Sequence, residues 1–233
     1  MLRALGKAPF EPLHKASLYH LTIKTVFLVA VASGQRQSTL HALLSDPGHL
    51  RWENSGVRLI PSASFLAKNQ TAASGSIEIF LPSISTFSSV SEDKVWCPVR
   101  ALKWYLHRTK SFRTCQNLFL TTVSPHRAAS RSTLARWLTD CISLAGSDAL
   151  SVGPFSAHQT RALSSSWALF NGASIDSILQ AAFWSNPNSF IACYLKDVVA
   201  HEASFARAVL TAVSTSGSVS KAPPRSGRAG SCR

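Results

Sequence analysis

The sequence predicts a mainly α-helical domain that carries a small three-stranded antiparallel β-sheet, an α+β fold. Three observations carry this expectation. Segments with apolar residues at helical spacing recur along the chain, at 18–32, 97–107, 132–144 and 157–170. Three short β-like runs are confined to residues 50–81 and are divided by turn residues. Finally, 45% of the 233 residues are hydrophobic, enough to bury a core in a domain of this size.

The first helix is expected over 18–32. Its apolar residues begin at helical spacing and become continuous, as in a helix entering the core. Ser17 is its N-cap and Ser33-Gly34 its stop. A shorter helix follows from Gln35 to Leu44, which leaves Arg36 in a tight junction between two helices. Asp46-Pro47-Gly48 is a turn. Strands are expected at 50–53 and 57–60 around an Asn54-Ser55-Gly56 loop. A third is expected at 76–81, where Ile77, Ile79 and Leu81 alternate with Glu78 and Phe80. The polar loop 62–75 sets Lys68 at one turn of this sheet. A Ser-rich connection, 82–95, leads to a helix over 97–107 with Pro98 in its first turn. Val99, Leu102, Tyr105 and Leu106 form its inward face, and 118–120 is a short buried run. The helix at 132–144, capped by Ser132, turns Leu134, Trp137, Leu138, Cys141 and Ile142 inward. After a Gly/Pro loop at 147–155, helices are expected at 157–170, 174–183 and 189–196, with Ser174 a second cap and Pro187 a break. An amphipathic helix is expected at 198–213. Residues 214–233 contain Ser, Gly, Pro and basic residues without an acid, and are expected to be disordered.

Charge narrows the partner. There are 24 Lys plus Arg against 11 Asp plus Glu, a net +13, which favours a polyanion, nucleic acid ahead of a membrane surface. The run Arg100, Lys103, Arg108, Lys110, Arg113, Arg127, Arg131 and Arg136 contains no acid. It reads as a phosphate-facing surface, with a solvated basic face as the plain alternative. Arg100, Lys103, Arg127, Arg131 and Arg136 are the expected DNA contacts. The five cysteines are odd in number and show neither a C-x-x-C pair nor zinc spacing, so reduced thiols in an intracellular protein are expected, with no metal. The longest apolar stretch, 25–32, is too short to span a bilayer. The basic N-terminus lacks the apolar segment of a secretory signal.

The stretch 156–197 concentrates the unusual chemistry. His158 and Arg161 are three residues apart on one expected helix, hence on one face. Together they can hold two oxygens of one phosphate; a solvent-facing pair is the bland alternative. Gly172 interrupts the next segment, and Trp184 precedes Tyr194 by ten residues. No carboxylate pair and no glycine-rich phosphate loop competes with this set.

Read with Arg36 and Lys68, these residues stand in a familiar order. The segments Phe10-Glu11-Pro12-Leu13, Lys24 through Arg36, Phe65-Leu66-Ala67-Lys68-Asn69-Gln70, and Ala157-His158-Gln159-Thr160-Arg161-Ala162 through Tyr194-Leu195-Lys196-Asp197 carry the likeness. The chain resembles the catalytic domain of tyrosine recombinases, the family of phage integrases and Cre-type enzymes, over residues 9–200. Within that family it is most similar to the recombinases of DIRS-like retroelements. The resemblance implies their fold and a DNA-breaking and rejoining activity on double-stranded DNA, without a cofactor. Arg36 and Arg161 would bind the non-bridging oxygens of the scissile phosphate. His158 would contact the phosphate and transfer a proton, and Lys68 would protonate the leaving 5′ hydroxyl. Trp184 would donate its indole N–H, and Tyr194 would be the nucleophile. The layout implied is an N-terminal tail at 1–8, a catalytic domain at 9–213 without the usual N-terminal core-binding domain, and the basic tail at 214–233. A homotetramer on DNA and a nuclear location follow from the resemblance, with a mitochondrial presequence the lesser expectation. The chain departs from the family pattern at Thr39 and at Trp184, which stands where many members have a Gly-His pair. Thr39 stands where an acid commonly follows the first arginine, and the spacing from Trp184 to Tyr194 is one longer than the commonest. A DNA-binding module derived from a recombinase is the alternative reading.

Overall fold

The computed structural model describes residues 2–66, 77–146, 157–184 and 187. The chain divides into two units, Met1–Lys196 and Asp197–Arg233, and every described residue belongs to the first. The helices expected at 189–196 and 198–213, and the tail after them, lie outside the described residues.

The fold is built around helix α1 (Leu18–Ser33), whose residues from Leu21 through Ala30 are all buried. A helix buried on all sides needs apolar residues on all sides, which is why its pattern becomes continuous rather than striped. Ser17 caps it by accepting from the His20 amide, and Gly34 ends it in the left-handed region at φ 61°. Its buried hydroxyls bond back along the helix, Thr22 to Leu18 O, Thr25 to Leu21 O and Ser33 to Val29 O. The second helix, α2 (Gln37–His41), is shorter than the expected 35–44. It stops because Leu43 and Leu44 leave it to bridge Pro61 and Asn117 as extended backbone.

Strands β1 (Leu50–Glu53), β2 (Gly56–Leu59) and β3 (Ile79–Pro82) pair antiparallel in the order β1-β2-β3. The hairpin loop is two residues, not three, because Gly56 joins β2 opposite Glu53. Only glycine fits there, since a Cβ would lie 2.2 Å from the Leu81 carbonyl oxygen. In this register Val57, Leu59, Ile79 and Leu81 are buried, and Ile77 is buried ahead of the strand.

The Ser-rich connection contains two 3-10 helices, Ile84–Thr86 and Ser91–Trp96. Helix α3 (Pro98–Thr109) has Cys97 as N-cap, its Sγ accepting from the Arg100 amide. Helix α4 (Arg131–Gly146) is capped by Ser130 rather than Ser132, with Ser130 Oγ accepting from the Thr133 amide at 3.1 Å. Its expected inward residues Leu134, Trp137, Leu138, Cys141 and Ile142 are all buried. Helix α5 (Ala157–Phe170) turns through Gly172, at φ 89°, into α6 (Ile175–Ala182), which Ser174 caps.

Two apolar clusters result. The main core joins α1, the inward face of the sheet, α3 and α4 with Leu5, Phe10 and Leu13. The segment expected as a tail therefore contributes to the core: Leu2–Gly6 is a 3-10 helix, and Leu5 is fully buried. The second cluster is smaller: Ala162, Ile178, Ala182 and Trp184, within α5, α6 and the residues just after. No described helix is long and apolar enough to cross a membrane.

Candidate active site

The described site residues gather at the C-terminal end of α6. A helix end leaves its last four carbonyls without intrahelical partners. Here all four are taken. Phe183, left-handed at φ 50°, turns the chain so that its own amide bonds Gln180 O and the Trp184 amide bonds Leu179 O at 2.9 Å. The next two carbonyls accept from distant side chains. Gln35 Nε2 donates to Ala181 O at 2.7 Å, and Arg161 Nη2 donates to Ala182 O.

That arrangement sets three predicted residues. Arg161 on α5 is 3% exposed, and its guanidinium lies over the Trp184 ring, 4.4 Å from the centroid. A desolvated contact of this kind contributes about 2 kcal/mol. The partial negative charge of a helix C-terminus favours the same guanidinium. Trp184 is 6% exposed and packs with Ala162, Ile178 and Ala182. Arg36 is the N-cap residue of α2, extended at φ −76° and ψ 154°, and half-buried. Its neighbour Gln35 ties that junction to Ala181, the residue before the carbonyl that Arg161 holds. The structure therefore links Arg36, Arg161 and Trp184 through one helix end. His158 lies on α5, three residues before Arg161, and its side chain is outside the description. Lys68 and Tyr194 lie outside the described residues.

Two buried threonines lie on the same helices, Thr39 on α2 and Thr160 on α5. Thr39, three residues after Arg36, is buried in α2. Thr160 is 2% exposed, and its Oγ1 has no hydrogen-bond partner among the described residues.

The basic run divides into two kinds of residue. Arg100 binds Glu11, with Nη1 to Oε1 at 2.8 Å and Nη2 to Oε2 at 3.2 Å. Its guanidinium is thus engaged with a carboxylate that it shares with Lys24. Arg108 donates to Ala16 O at 3.1 Å, and Arg113 to Asn117 O at 2.6 Å and Leu118 O at 3.2 Å. These guanidinium groups close irregular backbone. Lys103, Arg127, Arg131 and Arg136 are exposed, Lys103 with its ammonium 5.2 Å from the centroid of the Trp52 ring. His41 of α2 donates from Nδ1 to Ala129 O at 2.9 Å, which fixes the segment bearing Arg127 and Arg131 beside α2.

Sequence reasoning missed Gln35 as a structural tie. Its partner is 146 residues away, and no local pattern marks it. It also missed the role of Glu11. Lys24 is fully buried in α1, and its Nζ donates to Leu5 O at 2.8 Å and to Glu11 Oε1 at 2.6 Å. Burial pushes the Glu11 carboxyl up, but the hydrogen bonds and charges of Arg100 and Lys24 outweigh it and hold the group below the usual carboxylate range. Burial draws the Lys24 ammonium down from its ordinary value, against the pull of Glu11. One available signal was a lone Lys inside a continuous apolar helix, which requires a buried acid.

No family model matches the chain, and no curated protein matches it. Solved structures do. The XerH site-specific recombinase in its pre-cleavage complex with difH matches over 82% of this chain and 47% of its own, at 14% identity and a TM-score of 0.57. The same recombinase in a post-cleavage complex with palindromic difH matches over 92% and 50%, at 14% identity and a TM-score of 0.58. The XerA recombinase matches over 91% and 61%, at 15% identity and a TM-score of 0.55. The chain thus spans about half the length of the XerH structures. It has the catalytic-domain fold of the tyrosine recombinases.

Proposed function

We propose that the protein cleaves and rejoins DNA strands through a 3′-phosphotyrosyl intermediate. The observation that carries this reading is the helix end that links Arg161 and Trp184 to the Arg36 junction, on a fold similar to that of site-specific recombinases. Tyr194 attacks the scissile phosphorus as its phenolic proton passes to His158, and the P–O bond to the 5′ oxygen breaks. Lys68 supplies the proton to that leaving oxygen. Arg36 and Arg161, with His158, neutralise the charge that grows on the non-bridging oxygens, and Trp184 supports them. Attack by a 5′ hydroxyl then reverses the step and releases the tyrosine, so no nucleotide energy is consumed. Lys103, Arg127, Arg131 and Arg136 hold the DNA backbone, which supplies most of the affinity and little sequence selection. The motifs at 24–36 and 157–162 support an origin in DIRS-like mobile elements, with action in the nucleus as a tetramer on DNA.

The test uses nicked suicide duplexes and denaturing gels. A covalent protein–DNA adduct that disappears in Tyr194→Phe is expected. Absence of an adduct across a broad library of sites would overturn the reading. A second reading, a DNA-binding module without efficient cleavage, is favoured by one observation: the Arg161 guanidinium is nearly fully buried and donates to a backbone carbonyl. Retained, salt-dependent DNA binding without an adduct would establish it.

A further inference from the structure

Helices α5 and α6 surround their own cluster rather than extending the main core. Between that cluster and α1 lies a cavity of about 960 Å³, lined by Phe27, Val31 and Gly34 on one side and by Leu163, Trp167 and Ile178 on the other. Along the cavity α6 is not packed closely against α1, although Phe183, just after α6, packs on the main core. Among the described residues, side-chain hydrogen bonds from Ser164 and Gln35 cross the gap. Ser164 Oγ donates to Val31 O, and Gln35 Nε2 donates to Ala181 O at 2.7 Å. The second lies beside the candidate site, on the carbonyl next to the one that Arg161 holds. Gln35 is 5% exposed, and its own amide is oriented by Ser33 Oγ at 3.4 Å. It immediately precedes Arg36, and the carbonyl it holds immediately precedes the one that Arg161 holds.

We infer that Gln35 is a positioning residue that fastens the junction carrying Arg36 to the helix end carrying Arg161 and Trp184. The inference rests on the strand-cleavage reading and assigns Gln35 the task of keeping the two guanidinium groups at one separation when a phosphate enters. Preorganised donors act without reorganising during the reaction. A displacement of about 1 Å costs on the order of 100-fold in rate. Gln35 does not touch the phosphate; it acts through Arg36.

The experiment has two arms. The first measures hydrogen-exchange protection of the Leu40, Phe183 and Trp184 amides in the full chain. Gln35→Leu keeps the bulk and removes the donor, and all three amides are expected to lose protection together, about tenfold. Gln35→Glu separates the hydrogen bond from side-chain volume. Its carboxylate repels the Ala181 carbonyl near pH 8, whereas the protonated acid near pH 5 donates to it. Protection in this variant is therefore expected to return as the pH falls. Unchanged protection in Gln35→Leu, or no pH dependence in Gln35→Glu, overturns the inference. The second arm measures single-turnover adduct formation. Gln35→Leu is expected to slow it at least tenfold with DNA affinity unchanged, and to slow Arg36→Ala no further. An additive double variant shows that Gln35 does not act through Arg36 and also overturns the inference. If the wild-type chain forms no adduct, the cleavage reading fails while the exchange arm still decides the fastening.

Discussion

Removing the charge of Glu11 is expected to destabilise the fold far more than removing the charge of Lys24. Glu11 bridges two cations, Lys24 at 2.6 Å and Arg100 at 2.8 Å, with side-chain exposures of 9%, 0% and 33% for the three residues. Glu11→Gln leaves the Lys24 ammonium fully buried and without a counter-charge. Losing one partner of a buried pair costs about 3–5 kcal/mol. In a domain of this size each kcal/mol moves the melting temperature by about 2–4 °C, so a fall on the order of 10 °C is expected. Lys24→Met removes the desolvated cation and leaves Glu11 with Arg100, so its cost is expected to be smaller. Thermal unfolding followed by circular dichroism compares the two. Equal losses, or a Glu11→Gln midpoint within about 2 °C of wild type, refute the argument. The pH dependence gives a second check. The Glu11 carboxyl is held below its ordinary value, so its contribution is present above the unfolded carboxylate value of about 4.3 and is lost as the pH falls through the folded value. Wild type is therefore expected to lose stability on acidification below about pH 4, and Glu11→Gln to lose less over the same interval.

Two further outcomes follow from the geometry. Gly56→Ala places a methyl against the Leu81 carbonyl oxygen, at 2.2 Å before relaxation, and is expected to lower the urea midpoint by the equivalent of about 1–3 kcal/mol; an unchanged midpoint contradicts the register. Arg127→Ala and Arg131→Ala are each expected to weaken DNA binding and to reduce the slope of log affinity against log salt by about 1. Arg100→Ala is expected to lower stability and leave that slope unchanged, because its charge is held by Glu11. A slope change in Arg100→Ala equal to that of Arg127→Ala would return Arg100 to the DNA surface.

Local chemistry made most of the fold readable. Ser17, Gly34, Pro98 and Ser174 mark helix ends by mechanisms that act within a turn, and each was legible for that reason. The alternation through Ile77, Ile79 and Leu81 was legible because pleated backbone has a strict period of two. The misreadings share a different cause. Gly56 looked like a loop residue, but it is a strand residue whose partner carbonyl lies 25 positions later, at Leu81. Helix α2 ended early because Leu43 and Leu44 were claimed by Pro61 and Asn117. Leu5 looked like part of a tail because its environment is assembled from the rest of the domain, including the Lys24 ammonium on its carbonyl.

The same distinction governs the site. Arg36, Arg161 and Trp184 were expected from residue type and order, whereas the bond that ties the Arg36 junction to the end of α6, Gln35 on Ala181 O, left no trace in spacing. Composition also misled in a specific way. A net +13 treats every guanidinium as available, yet Arg100, Arg108 and Arg113 are bound to Glu11 and to the carbonyls of Ala16, Asn117 and Leu118. Irregular backbone before α1 and between α3 and α4 needs donors for its carbonyls, and arginine supplies several from one planar group. These guanidinium groups keep their charge but are anchored in the fold, so fewer side chains of the 100–136 run are free to reach a phosphate. On the proposed reading Lys103, Arg127, Arg131 and Arg136 are the ones that do so, and His41 fixes the segment of Arg127 and Arg131 beside α2, at whose start Arg36 stands.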